Sequence, residues 1–317
     1  MSRETVSDGV TLFLENRVAR EEDYYLYIVS LMRLLDYARL RDAPLCIDLD
    51  TSAAPSSSQQ DVTGAGRFVI VRINTEHTLV KPGGRDTEGA MRGHVPIRDS
   101  TMTGETYLVR LHRRAEFESC HLLLDYSVPN VVNTAMSAFP SHIPHVYVAP
   151  LLYYPPPPPV PVEHRNIPCL TTFVRTCEPR RARFLEQLRR RCPAAENRND
   201  VFGHHALLQV YRRTRVLMNI RQTDHHDTLE ELRVLPALLC GVLVISEDVP
   251  LRTCVPYHAH VLWCSSFDEM MDTLDDVSRH YDQYVSRIFD QTFYDLMDTL
   301  HAQNQERLQN AMARILS

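Results

Sequence analysis

The chain has 317 residues, of which 44% are hydrophobic and 23% charged. This is ordinary globular composition, enough for about two domains, and it argues against a collagen, a coiled-coil rod or a wholly disordered chain. The formal charge of −6, from 34 Lys+Arg against 40 Asp+Glu, gives no support for a nucleic-acid partner.

The opening stretch MSRETVSDGVTLFLENRVAREE carries acids throughout and reads as lacking a secretory signal. No window of about 18 uncharged apolar residues occurs, so no membrane span is expected. Eight cysteines without a CxxC spacing read as free thiols in a reducing compartment, the cytoplasm.

Along the chain, residues 22–41 form an expected helix with Tyr27, Leu31, Leu34 and Leu35 near one face. The short apolar run PLCIDLD follows, then a polar loop over 51–65. Phe68, Val69, Ile70 and Val71 form a continuous apolar run, as in a buried strand. Residues 81–103 read as a loop with four glycines. TYLVRLH, HLLLDYS and HVYVAPLLYY are expected strands, and NVVNTAMSAF a short helix. Strands alternating with helices indicate an α/β unit over 1–154. The proline run 155–159 favours polyproline II, so 155–165 reads as a stiff linker, with an SH3-type ligand as its functional alternative.

A second α/β unit is expected over 166–270. LTTFVRT is a strand. EPRRARFLEQLRRRC is a helix with Pro179 in its first turn and Phe184, Leu185 and Leu188 facing the core. The arginine cluster Arg180, Arg181, Arg183, Arg189, Arg190 and Arg191 reads as a solvated helix face. HHALLQVYRRT is a helix and RVLMNI a strand. TLEELRVLPALLCG is a helix, capped by Asp227 or Thr228, with Glu231 completing a capping box and Gly241 closing it. VLVISE and HVLWCS are strands, the latter with Trp263 packed. In the helical tail, 271–317, Tyr281, Tyr284, Val285, Ile288, Phe289 and Phe293 continue the spacing of Met270, Met271, Leu274 and Val277. That tail fits helices docked across both domains, or self-association as a homodimer.

The sharpest local unit runs from 216 to 247: strand, polar loop, helix, glycine, strand, acidic loop. Ligands bind beyond the carboxyl ends of parallel strands. Asn219, Gln222 and Thr223 stand at one such end, Ser246 and Glu247 at the next. The helix beginning near Thr228 offers free N–H groups and a positive dipole end to a phosphate. Glu230 and Glu231 in its first turn suit sugar hydroxyls, or simply helix-end capping. The chain contains no G-x-G-x-x-G, no Walker A sequence and no G-x-S-x-G elbow. Neither His204/His205 nor His225/His226 has helical zinc spacing, so no metal is expected, and His225 and His226 suit ligand hydrogen bonding instead. Asp125, Glu76 and His77 follow buried-looking strands, where a carboxylate or imidazole serves as a general base if it faces a cleft.

The segment NIRQTDHHDTLEELRVLPALLCGVLVISEDVP resembles the nucleotide-sugar half of GT-B glycosyltransferases, in particular small enzymes of large algal (chlorella) virus type. INTEHTL, LLLDYSVPNVVN and HVYVAPLLYY add to the resemblance. It implies two Rossmann-like domains facing a cleft. The C-terminal one would hold a UDP- or GDP-sugar without a metal, and the N-terminal one a glycan acceptor. Arg175 and Arg233 would then steady the diphosphate. An inverting route would use Glu76 or Asp125 as base, with His77 or His94 as competitors. Many retaining members carry a pair of glutamates, the second just before an A-x-x-C-G segment, where Pro236 stands here. Another nucleotide-sugar enzyme, such as an epimerase, and a non-catalytic scaffold are the rival readings.

Overall fold

The structure, a computed structural model, describes residues 2–7, 9–14, 23–40, 44–50, 66–82, 101–103, 107–174, 176–201, 203–223, 226 and 228–317. Contacts divide the chain into two units, Met1–Ala149 with Ala302–Ser317, and Pro150–His301.

The first unit contains β1 (Ser2–Ser7), β2 (Val10–Leu14), α1 (Asp23–Arg33), β3 (Leu45–Asp50), β4 (Arg67–Asn74), β5 (Leu79–Pro82), β6 (Thr101–Thr103), β7 (Tyr107–Arg110), α2 (Arg114–Phe117), β8 (Leu122–Asp125), α3 (Val128–Ala135) and β9 (His145–Tyr147). Its main sheet has the order β1-β2-β3-β4-β8-β9. The β1–β2 pair is antiparallel and every later neighbour is parallel. After the hairpin the described strands therefore add in one direction only. The apolar residues of β3, β4 and β8 are buried, as central parallel strands require. One charged pair, Arg72 to Asp48 at 3.0 Å, is buried among them. Strands β5, β7 and β6 form a separate antiparallel sheet.

The second unit contains β10 (Ile167–Thr171), α4 (Pro179–Arg191), β11 (Glu196–Asn197), α5 (His204–Arg213), β12 (Thr214–Asn219), α6 (Glu231–Leu239), β13 (Leu243–Glu247), β14 (Leu262–Cys264), α7 (Phe267–Arg279), α8 (Tyr281–Ile288) and α9 (Gln291–Leu316), whose last turns belong to the first unit. All five strands are parallel, in the order β11-β10-β12-β13-β14. Both units are thus Rossmann-like α/β layers, accompanied by C-terminal helices.

At the amino edge of the second sheet, the buried Arg165 donates to Thr214 O at 2.6 Å and Cys240 O at 2.7 Å, each just past a helix end. It also reaches Tyr211 O and Val160 O at 3.4 Å. One cation thereby closes α5 and α6, where positive charge suits the dipole. Gly241 follows α6 at φ +71°. Its N–H bonds Leu238 O and that of Val242 bonds Ala237 O, a Schellman ending.

Several sequence expectations shift. The N-terminal hairpin was hidden by flanking acids. Helix α1 ends at Arg33, leaving Leu34 64% exposed rather than on the apolar face. HVYVAPLLYY contributes only the short β9, and β10 ends at Thr171, before the aromatic of LTTFVRT. Strands β5 and β6 enter the ends of the expected 81–103 loop, whose middle lies outside the described residues, as do 51–65. Phe184, Leu185 and Leu188 are buried as expected, and Trp263 is half-buried with Nε1 donating to His258 O.

A Cβ at position 241 would lie 2.9 Å from Arg165 Nη2, on a left-handed backbone. Gly241→Ala is therefore expected to cost about 1–2 kcal/mol for the backbone alone, read as a lower midpoint in urea unfolding. An unchanged midpoint would contradict the Arg165 clamp.

Candidate functional site

The order of the second sheet reverses at β10: β11 lies on one side and β12 on the other. At such a reversal, the connections leave toward opposite faces and a crevice opens outside the carboxyl ends. Thr172 and Phe173 follow β10 at this edge, Arg180 is the second residue of α4, Arg221 follows β12, and Glu247 ends β13.

Three of these meet. Arg180 Nη1 donates to Glu247 Oε2 at 2.7 Å, and Arg180 Nη2 donates to Oε1. Arg221 N donates to Oε2 at 3.0 Å and Arg221 Nη2 to Oε1 at 2.9 Å. The Glu247 side chain is 6% exposed. Burial pushes its pKa up, but the hydrogen bonds from Arg180 and Arg221 prevail and hold it below the ordinary glutamate range. Phe267 lies 5.0 Å from the Arg180 guanidinium, and Phe173 lies 4.8 Å from Arg181 and 5.9 Å from Arg233. Of the arginines read as a solvated face, Arg183, Arg189, Arg190 and Arg191 are exposed as expected, whereas Arg180 and Arg181 turn to the sheet edge. Neither Arg180 nor Arg221 was singled out from sequence as a site residue, although Arg180 opens a helix and Arg221 stands just past a strand end.

The expected donor residues divide. Asn219 and Ser246 are paired neighbours on β12 and β13, and both are buried. Arg233 Nη1 donates to Asn219 Oδ1 at 3.0 Å, and Asn219 Nδ2 to Ser246 Oγ at 3.0 Å. This chain of bonds fixes Arg233 beside the crevice. Gln222 is half-buried directly after Arg221, and Thr223 Oγ1 meets His226 Nδ1 at 2.7 Å. The expected capping box does not form. Helix α6 begins at Glu231, three residues beyond Thr228, with Glu230 at the cap position and no side-chain cap bond. Thr228 is buried, and Glu231 is fully buried, accepting from Tyr257 Oη at 3.1 Å, so its carboxylate serves packing of the helix start. Arg175, His225 and Asp227 lie outside the described residues. Thr172 was not foreseen either. Its Oγ1 is buried and finds no hydrogen-bond partner among the described residues.

In the first unit, Asp125 is fully buried. Its carboxylate accepts from Asn74 Nδ2 at 2.7 Å, Ser127 N at 2.9 Å and Asn130 Nδ2 at 3.0 Å, and His145 Nε2 lies 2.9 Å away. It ties β4, β8, β9 and α3 together, whereas the sequence offered it as a base. Glu76 is exposed, with its backbone N–H held by Asn74 Oδ1 at 3.1 Å, and its charge favours the protonated Arg110. His77 is half-buried, edge-on to Tyr126 at 6.1 Å. His94 lies outside the described residues.

Among the described residues, no group of three or more His, Cys, Asp or Glu could hold a metal ion, and no helix is long and apolar enough to cross a membrane. All eight cysteines are free. No family model and no curated protein matches the chain. Among solved structures it is similar to a sucrose-phosphate synthase from Thermosynechococcus elongatus, at 12% identity and TM-score 0.47, covering 93% of this chain and 79% of that one. A trehalose-6-phosphate protein of E. coli bound with UDP-2-fluoro glucose gives 11% identity and TM-score 0.49, covering 92% and 77%. The DNA-modifying enzyme beta-glucosyltransferase gives 11% and 0.48, covering 92% of each chain. At these values the likenesses assign neither substrate nor site.

Asp125→Asn puts an amide N–H₂ where the carboxylate accepts from several donors, which is expected to cost about 1–3 kcal/mol, with a lowered melting temperature by circular dichroism. A variant as stable as the parent would contradict a stabilising role for these bonds. The depressed Glu247 pKa has a signed consequence. Its stabilisation is present above the unfolded-state value and disappears as pH falls through the folded-state value. Acid titration of unfolding free energy should therefore fall less steeply in Glu247→Gln than in the parent.

Proposed function

We propose that the chain is a glycosyltransferase that moves a sugar from a UDP- or GDP-linked donor to a hydroxyl of a glycan acceptor. The observation that carries this reading is the arginine cradle of Arg180 and Arg221 at the strand-order reversal of the second unit. Bidentate guanidinium groups and a backbone N–H are the donors a phosphate takes. Arg233 adds a third cation, and the Thr172 hydroxyl a further polar group, at the same edge. The segment from Asn219 to Pro250 that resembles algal-virus transferases supports the same class.

In the reaction the anomeric C–O bond breaks and negative charge departs on the diphosphate. Arg180 and Arg221, with Arg233 held by Asn219 and Arg180 beside the Phe267 ring, stabilise that charge, so no metal is needed to do it. Positioning of donor and acceptor supplies much of the rest. An inverting route needs a base, and Glu76 is the sequence candidate whose carboxylate is exposed. The donor half is assigned to 166–270 and the acceptor half to 1–154, with 155–165 joining them and 271–317 as helical tail. Free thiols fit a cytoplasmic setting.

A binding-protein reading draws on a different feature, a groove of about 710 Å³ at the amino edge of the second sheet, lined by Pro156, Pro158, Tyr281, Phe289 and Tyr294. It predicts that Arg180 and Arg221 can be removed without loss of any ligand.

Calorimetric titration with UDP, GDP, ADP and CMP, with and without magnesium, tests the proposal. One diphosphate should bind irrespective of magnesium. Arg180→Ala and Arg221→Ala should each weaken it about tenfold or more, as for a lost charge-assisted hydrogen bond. A folded sample that binds none of the four overturns the reading.

A further inference from the structure

Glu247 is an unusual occupant of a cradle built for anions. Each of its oxygens accepts two hydrogen bonds, from Arg180 Nη1 and Arg221 N on one and from Arg180 Nη2 and Arg221 Nη2 on the other. These are the donors a phosphoryl group would use. A ribose diol, by contrast, would find both oxygens already committed. Two guanidinium groups against one carboxylate leave one positive charge. A sugar-linked diphosphate brings one negative charge on each phosphate. Glu247 thus neutralises one of the two guanidinium charges that the diphosphate would otherwise meet directly, while Arg233, bound to Asn219, keeps its charge for the ligand.

Building on the donor site proposed above, we infer that Glu247 is a built-in counter-anion. It competes with the donor's phosphoryl oxygens for Arg180 and Arg221, and it is displaced as the diphosphate enters. The carboxylate has a reason to be there. Arg180 and Arg221 are mostly buried and within hydrogen-bond distance of each other, since Arg180 Nη1 also reaches Arg221 O at 3.4 Å. Two such cations without a counter-charge repel and are poorly solvated. Glu247 offsets that cost, keeps the forks aligned, and reclaims them when the spent nucleoside diphosphate departs. Its effect on the ligand is a lowered affinity and a faster release, which suits a step that often limits turnover.

The test compares Glu247→Gln with Asp248→Asn, which removes the same charge one residue on, where the carboxylate pairs with Arg252 at 3.1 Å. Each folded variant is titrated with UDP, GDP and inorganic pyrophosphate. Glu247→Gln should tighten pyrophosphate and the preferred nucleoside diphosphate about fivefold or more, and Asp248→Asn less than about twofold. If the glutamine variant does not fold, Glu247→Asp, which keeps the charge and shortens the reach, should change affinity in the same direction. Weaker binding by either Glu247 variant would make Glu247 a support for the arginines and overturn the inference. So would a gain no larger than that of Asp248→Asn, or no pyrophosphate binding by any folded form. Tightened pyrophosphate binding without binding of any nucleoside diphosphate would sustain the inference and sink the transferase reading instead.

Discussion

Strand β10 has β11 on one side and β12 on the other, and the chemistry proposed for the second unit depends on that reversal. Parallel strands that added in one direction would send successive connections over the same face and leave no crevice at the carboxyl edge. The reversal brings the start of α4, the turn after β12 and the end of β13 to one place, so residues as distant as Arg180 and Glu247 become partners. The described strands of the first unit show the contrast. After the β1–β2 hairpin they add in one direction, and the polar residue at the end of β8, Asp125, is used up in joining its neighbours.

The second unit uses arginines at both edges of one sheet, buried at one and half-buried at the other, for opposite purposes. At the amino edge Arg165 gives its hydrogen bonds to backbone carbonyls past two helix ends. Those acceptors are part of the fold and cannot leave, so Arg165 is committed to structure. At the carboxyl edge Arg180 and Arg221 give theirs to a side-chain carboxylate, which can rotate away. The distinction lies in the acceptor and not in the arginine. It separates a cation that holds helices together from cations available to a ligand.

Much of the second unit was legible in the sequence because its signals are local. The apolar run of β12, the helical spacing of α6, Gly241 behind it and the run of β13 lie within about thirty residues, and each has a periodic or conformational signature. The helix start was misplaced for a physical reason. A Thr-x-x-Glu spacing is compatible with a capping box, but Glu231 is instead buried against Tyr257, a partner 26 residues away. Arg180 and Arg221 were missed because their importance comes from meeting Glu247, and nothing in an arginine-rich helix distinguishes the arginines that turn inward, Arg180 and Arg181, from the rest. Asp125 was correctly placed at a strand end, but its partners Asn74 and His145 come from other strands, and no local pattern announces them.

A nucleoside diphosphate is proposed to sit at the carboxyl edge of the second sheet. Hydrogen exchange of the whole chain, with and without saturating UDP or GDP, tests it most directly. Slowed exchange is expected in the turns after β10, β12 and β13, around Phe173, Arg221 and Asp248, with no change beside the proline-lined groove at the opposite edge. Protection confined to that groove, or to the first unit, would contradict it.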